Sequence, residues 1–231
     1  VEKPLATTAA AARSLVAAAD RSERCLLVGH LTLHHPAFQH LLAVVRAGGI
    51  GELTYVQAER TSASRQAAEP VLWALGPHDV AAFATLASTA EGVPAVTHLE
   101  ASTLDEQTTV TLRLSTGVRA SFLWRRCTSP QVRKLTVTGT EGSLTLDELT
   151  GEVTGRTRAG RAHPRAGATR LESSRHAVGP GSLLGLQCEH FLQCIQEKSV
   201  PMSGPIAGAT VAILASADAK MDARVGRVEG S

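Results

Sequence analysis

Lysine and histidine are the side chains here best suited to moving protons, and they fall at a few defined places. Lys3 stands in VEKPLA, one of four lysines in a chain whose basic residues are otherwise arginine. A lysine amine can act as a general base when a low-dielectric site and a nearby cation lower its pKa. Otherwise a lysine near a chain end is simply solvated. His30, His34 and His35 form an HxxxHH cluster in GHLTLHHP, and His78 stands in LGPHDVA. Imidazole titrates near neutrality, so each can donate to, or share a proton with, a substrate oxygen. A histidine cluster can also bind metal, but no acidic or cysteine partner is placed beside this one, and no metal is expected. His190, in EHF, lies beside an apolar helical stripe and reads as structural. Arg60, Trp73, Arg125 and Arg126 could contact a sugar or a diphosphate, which arginine grips bidentately, or could be ordinary strand residues.

The elements that must hold these groups follow from the apolar spacing. Residues 7–22 read as a helix capped by Thr7 or Thr8, with Leu15, Val16 and Ala19 as its apolar stripe. CLLVG, at 25–29, reads as a strand buried on both faces, and the pair is then the αβ half of a doubly wound unit. A second helix opens at Pro36 and carries Phe38, Leu41, Leu42 and Val45 at i, i+3, i+4 and i+7. A strand occupies 49–61 and a loop 62–72. A helix entered through Pro77 covers 75–88. From 95 to 154 the period becomes two, as in TVTLRLS, where Val110, Leu112 and Leu114 share a face, and the region reads as an antiparallel meander. Residues 155–182, rich in Gly, Arg, Pro and Ser, read as a loop. Two helices close the chain, at 183–198 with Leu184, Cys188, Phe191, Leu192 and Ile195, and at 206–224 with Ile206, Ala209, Ile213, Leu214, Ala217 and Met221. The fold class is α+β: a mostly antiparallel open sheet with helices on one face, preceded by an αβ unit.

Composition narrows the function classes. At 231 residues with 43% hydrophobic residues the chain can bury a substantial core, and a net charge of +2 argues for neither nucleic acid nor a membrane surface. No apolar run approaches the roughly 18–20 residues needed to span a bilayer. Cys25, Cys127, Cys188 and Cys194 form no CxxC pair and are expected to be reduced thiols of a cytoplasmic protein.

Five motifs in order carry a family resemblance: VEKPLA, LVGHLTLHHPAFQHLLAVVRAGGIGEL, LWALGPHDVA, VTGTEGSLTLD and CEHFLQCIQEKSVP. Together, from residue 1 to about 225, they resemble the Gfo/Idh/MocA oxidoreductases, and LWALGPHD is most similar to members acting on nucleotide-linked sugars. The resemblance implies an N-terminal Rossmann domain that binds NAD or NADP and a C-terminal α/β domain for substrate and subunit contacts. The Glu-Lys-Pro motif falls late in that Rossmann domain, so residues 1–30 are expected to be its last part and 31–231 the C-terminal domain. The chain holds no G-x-G-x-x-G turn, and by itself it is expected to bind no cofactor and to be inactive.

Site roles follow from the same resemblance. Lys3 and His78 are the catalytic candidates; Glu2, Lys3 and Pro4 border the cofactor; His30, His35, Arg60 and Trp73 are candidates for substrate contact. One position departs from the pattern: many relatives carry an aspartate four residues before the histidine, and this chain has Ala74. The parent is therefore expected to be a sugar dehydrogenase or reductase transferring hydride to or from NAD(P). The alternative is a degenerate, non-catalytic member kept as a dimerisation or ligand-binding module. A homodimer, or a dimer of dimers, is expected through the open sheet face, with Val132 and either Leu123 or the pair Phe122 and Trp124 on it.

Overall fold

A computed structural model describes residues 1–63, 69–128, 130–157, 173–176, 182–197 and 203–228. Helix α1 (Ala9–Arg21) is followed by a 3₁₀ turn (Leu31–His34), α2 (Pro36–Arg46), β1 (Leu53–Ser62) and α3 (Val71–Ala87). Six strands come next: β2 (Val96–Leu104), β3 (Gln107–Leu114), β4 (Arg119–Arg126), β5 (Arg133–Gly139), β6 (Gly142–Asp147) and β7 (Glu152–Thr157). The short β8 (Ser174–Arg175) and helices α4 (Ser182–Glu197) and α5 (Ser203–Val228) complete the described chain. Most of the loop read over 155–182 lies outside the described residues.

The eight strands form one sheet in the order β2-β3-β4-β1-β5-β6-β7-β8. β1 enters between β4 and β5, parallel to β4 and antiparallel to β5, with Ala58 opposite both Phe122 and Leu135. The meander expected over 95–154 is thus split in the middle by a strand from earlier in the chain.

Alternation decides the sheet's faces. Val56, Ala58, Val110, Leu112, Leu114, Phe122, Trp124, Leu135, Val137, Leu144 and Leu146 are buried on one face, under α2, α3 and α5. Gln57, Ser121, Leu123, Lys134, Thr136 and Thr145 lie on the other, half-buried or exposed. This resolves SFLWRR: Phe122 and Trp124 point into the core, stacked at 5.2 Å, and Leu123 stands with Val132 outside the core. The open face is mostly polar, apart from Tyr55, Leu123 and, at the end of β2, Leu104.

Three helical expectations change. α1 is capped by Thr8, whose Oγ1 accepts from the Ala11 N–H at 3.2 Å, and buries Ala12, leaving Leu15 46% exposed. α3 begins at Val71, with Pro77 inside it. The usual clash of a proline ring with the preceding residue involves that residue's Cβ, and Gly76 has none. α4 buries Cys194 and turns the expected stripe of Leu184, Phe191, Leu192 and Ile195 outward. CLLVG joins no sheet; Val1 lies against it, donating to Leu27 O at 2.9 Å and accepting from the Gly29 N–H at 2.8 Å.

Candidate active site

Val1 fixes the Glu2-Lys3-Pro4 segment against residues 27–29, and the Lys3–Pro4 peptide is cis. From there Lys3 reaches α3, where Nζ donates to the Ala74 carbonyl oxygen at 3.0 Å. His78 lies one helical turn further along α3. The chain folds tightly at Gly29, with the His30 N–H donating to Val28 O at 2.7 Å, and this turns His30 inward. The His30 and His78 rings meet edge to face at 6.5 Å.

His30 is 1% exposed. Neither of its ring nitrogens has a protein partner, and nor does the buried Nδ1 of His78. Buried polar atoms are normally satisfied, so three orphaned imidazole nitrogens near one amine call for a ligand or water. Burial, then the charge of Lys3 and the neighbouring His34, pushes the His30 pKa down to about 4. Burial, then the charges of Arg60, His30 and Lys3, holds His78 well below its ordinary value. Both rings are neutral at physiological pH, so each offers one donor and one acceptor.

His34 packs against His190 of α4 at 5.3 Å, and burial followed by that neighbour lowers its pKa to about 4. His35, a candidate for substrate contact, caps α2: its Nδ1 accepts from the Ala37 N–H at 3.1 Å, and the ring is buried. Arg60 and Trp73, candidates of the same kind, also have polar groups engaged inside the protein. Arg60 Nε and Nη2 donate to both oxygens of Asp79, and Nη2 also to Glu148 at 2.9 and 3.0 Å. Trp124 Nε1 donates to Asp79 Oδ2 at 2.8 Å, and Trp73 Nε1 to Asp218 Oδ2 at 2.9 Å. Burial raises the Glu148 pKa against the pull of Arg60. Arg125 faces Glu59 at 3.8 Å, with its Nε buried and unpartnered, and Arg126 bonds Glu106 and the Glu69 carbonyl.

Two roles went unread in the sequence. Gln187 of α4 has a buried, unpartnered Oε1. A Cβ placed on Gly29 would stand 3.8 Å from that oxygen and 3.5 Å from Glu2 Oε2. Asp79 is the second: helix geometry turns it away from His78, and Arg60 claims it. Its position beside His78 gave no hint of a partner 19 residues away in sequence. Among the described residues no group of three His, Cys, Asp or Glu side chains is arranged to hold a metal, and no helix is long and apolar enough to cross a membrane.

Residues 38–145 match the family model described as the GFO/IDH/MocA C-terminal domain, and the family read from the sequence motifs is borne out. The fold is that of oxidoreductases of this kind. UDP-N-acetylglucosamine 3-dehydrogenase GnnA from Acidithiobacillus ferrooxidans is similar with a TM-score of 0.77 and 23% identity, over 96% of this chain and 70% of that one. Levoglucosan dehydrogenase, solved with NADH and levoglucosan, gives 0.75 and 16% over 96% and 71%. KijD10, a 3-ketoreductase from Actinomadura kijaniata solved with NADP, gives 0.70 and 15% over 95% and 68%. No curated protein matches the chain. At these identities the likeness to solved structures establishes the fold.

Proposed function

We propose that this chain is the substrate-side portion of a cytoplasmic NAD(P)-dependent oxidoreductase that interconverts a sugar alcohol and its ketone, with a nucleotide-linked sugar as the favoured substrate. One observation carries the reading: Lys3, His30 and His78 converge from three separate segments, and three of their imidazole nitrogens lack partners. Similar structures solved with NADH, levoglucosan or NADP support it.

Oxidation of a secondary alcohol requires a base within hydrogen-bond reach of the hydroxyl. Lys3 takes that proton in the oxidative direction and returns it in the reductive one. Neutral His78 donates to the same oxygen, and His30 walls the site from water. Glu2 and Gln187 border Gly29 beside Lys3, and Glu2, Lys3 and Pro4 would hold the nicotinamide end of the cofactor. When bound, the cofactor accepts or supplies the hydride. Ala74 contributes only its backbone carbonyl, so no side-chain carboxylate assists at that position.

Residues 1–30 are read as the end of the nucleotide-binding domain, packed through Leu5, Ala12 and Val28 into the core of the domain that follows. The open sheet face serves as the subunit contact of a homodimer; light scattering at micromolar concentration tests this. The alternative, a degenerate non-catalytic dimerisation or ligand-binding module, is favoured by Ala74. Steady-state turnover of the complete gene product with NAD+ and NADP+ across free and nucleotide-linked sugars separates the two readings. Cofactor-dependent turnover supports the enzyme. Sugar binding with no turnover supports the module.

A further inference from the structure

Gln187 sits in the second turn of α4, where Leu184, Gly185, Cys188 and Glu189 are all exposed. Its side chain is the exception. Oε1 is buried and has no hydrogen-bond partner among the described residues. That oxygen stands 3.8 Å from a Cβ placed on Gly29, and Glu2 Oε2 and the Val1 carbonyl oxygen each stand 3.5 Å from the same point. The Val1 oxygen is engaged, accepting from the Gly29 N–H at 2.8 Å, and Glu2 is exposed to solvent. Gln187 Oε1 has neither a donor nor open solvent. His30, the next residue after Gly29, adds two more orphaned atoms, so the unpartnered acceptor adjoins the candidate site. A buried carbonyl oxygen without a donor has given up its hydration for nothing, and an apolar side chain of the same length would pack there at lower cost.

We infer that Gln187 is a ligand-positioning residue of the candidate site, its Oε1 accepting a hydrogen bond from a neutral N–H or O–H group of the bound ligand. A carbonyl oxygen only accepts, so its missing partner is a donor. Glu2 Oε2 and the Val1 carbonyl oxygen border the same point, and a ligand carboxylate or phosphate there would face three oxygens. Lys3, the residue after Glu2, disfavours a cation. The inference rests on the oxidoreductase reading above, which supplies two sources of a neutral donor: the carboxamide N–H of the nicotinamide and a hydroxyl of the sugar. Gln187 approaches from α4, near the far end of the chain from Glu2 and Gly29, so a ligand held this way bridges the two.

The test compares the complete gene product with Gln187→Met, which keeps the side-chain length and removes the oxygen, and with Gln187→Leu as a second apolar variant. Without ligand, both should melt at the wild-type temperature or above it, because a buried acceptor with no donor has been removed. Affinities are then titrated for NAD+ and NADP+, for their 3-acetylpyridine analogues, which carry a methyl ketone in place of the carboxamide, and for glucose and UDP-glucose. If the carboxamide is the donor, the wild-type protein binds the natural cofactor roughly 3- to 10-fold more tightly than the analogue, and Gln187→Met removes the difference. If a sugar hydroxyl is the donor, cofactor affinity is unchanged and sugar affinity falls by that factor. Either result supports the assignment. Unchanged affinities throughout would overturn it. So would variants that both melt well below the wild type, which would mark Gln187 as bonded within the fold. A wild-type protein that binds no nicotinamide cofactor would overturn the oxidoreductase reading itself, and this inference with it.

Discussion

Lys3 Nζ donates to the Ala74 carbonyl oxygen across 71 positions of sequence, joining the first residues of the chain to the first turns of α3. That single bond brings the amine beside His30 and His78. A hydrogen bond of this kind contributes about 1 kcal/mol net, since both groups are solvated when it breaks. Lys3→Met should therefore lower the unfolding free energy of the chain by about that amount, read from urea melts. A loss of several kcal/mol would mean that Lys3 is a structural strut, leaving its role in chemistry unsupported.

Acid should unfold this protein earlier than its carboxylates alone require. His30 and His34 titrate near 6.5 when unfolded and near 4 when folded, and His78 is likewise held well below its ordinary value by burial and nearby cations. The unfolded chain then binds more protons between those values, so stability is complete above about pH 6.5 and falls as pH drops towards 4. For His30 alone the shift corresponds to about 3 kcal/mol; His34, more exposed, contributes less. The melting temperature should decline steadily from pH 6.5 to 4.5, and His30→Gln should flatten that slope. An unchanged slope in the variant would show that His30 is not held neutral.

Asp79 anchors three groups at once: Arg60 Nε, Arg60 Nη2 and Trp124 Nε1. Removing one partner of a buried pair strands the other charge, at about 3–5 kcal/mol. Asp79→Ala should shift the urea midpoint by that amount with little change in m. A shift under 1 kcal/mol would show that Glu148 alone satisfies Arg60.

Gly76 lets α3 approach both β4 and α5. A Cβ there would lie 2.9 Å from Leu214 Cδ2 and 3.3 Å from Trp124 Cη2. The Leu214 methyl can give way, but Trp124 is held by Asp79. Alanine would gain about 1 kcal/mol in helix propensity, yet overpacking costs about 1–3 kcal/mol and alanine before Pro77 is disfavoured in a helix. Gly76→Ala should be destabilising on balance, with a lower melting temperature by calorimetry. A more stable variant would show that the contact is loose.

Local pattern was enough for much of this fold. The apolar spacing of Phe38, Leu41 and Leu42 placed α2, and the alternation of Val110, Leu112 and Leu114 placed β3, because each encodes a single buried face. The insertion of β1 between β4 and β5 has no such signature, since strand pairing is a long-range choice that periodicity does not record. The early start of α3 was hidden by Pro77, which reads as a boundary until Gly76 is seen to relieve it. At the site, the motif order indicated Lys3, His30 and His78. Arg60 and Trp73 read as candidates for substrate contact because their acceptors, Asp79, Glu148 and Asp218, lie far away in sequence. Gln187 carries no motif at all; only the packing of α4 brings it to Gly29.

Lys3 is proposed to move the substrate proton. Its most direct test compares kcat of the complete gene product and its Lys3→Met variant at saturating cofactor, with whichever sugar the wild-type protein turns over. A fall of roughly 100-fold or more in kcat is expected, alongside a stability change of about 1 kcal/mol. Equal kcat values in two folded proteins would contradict it.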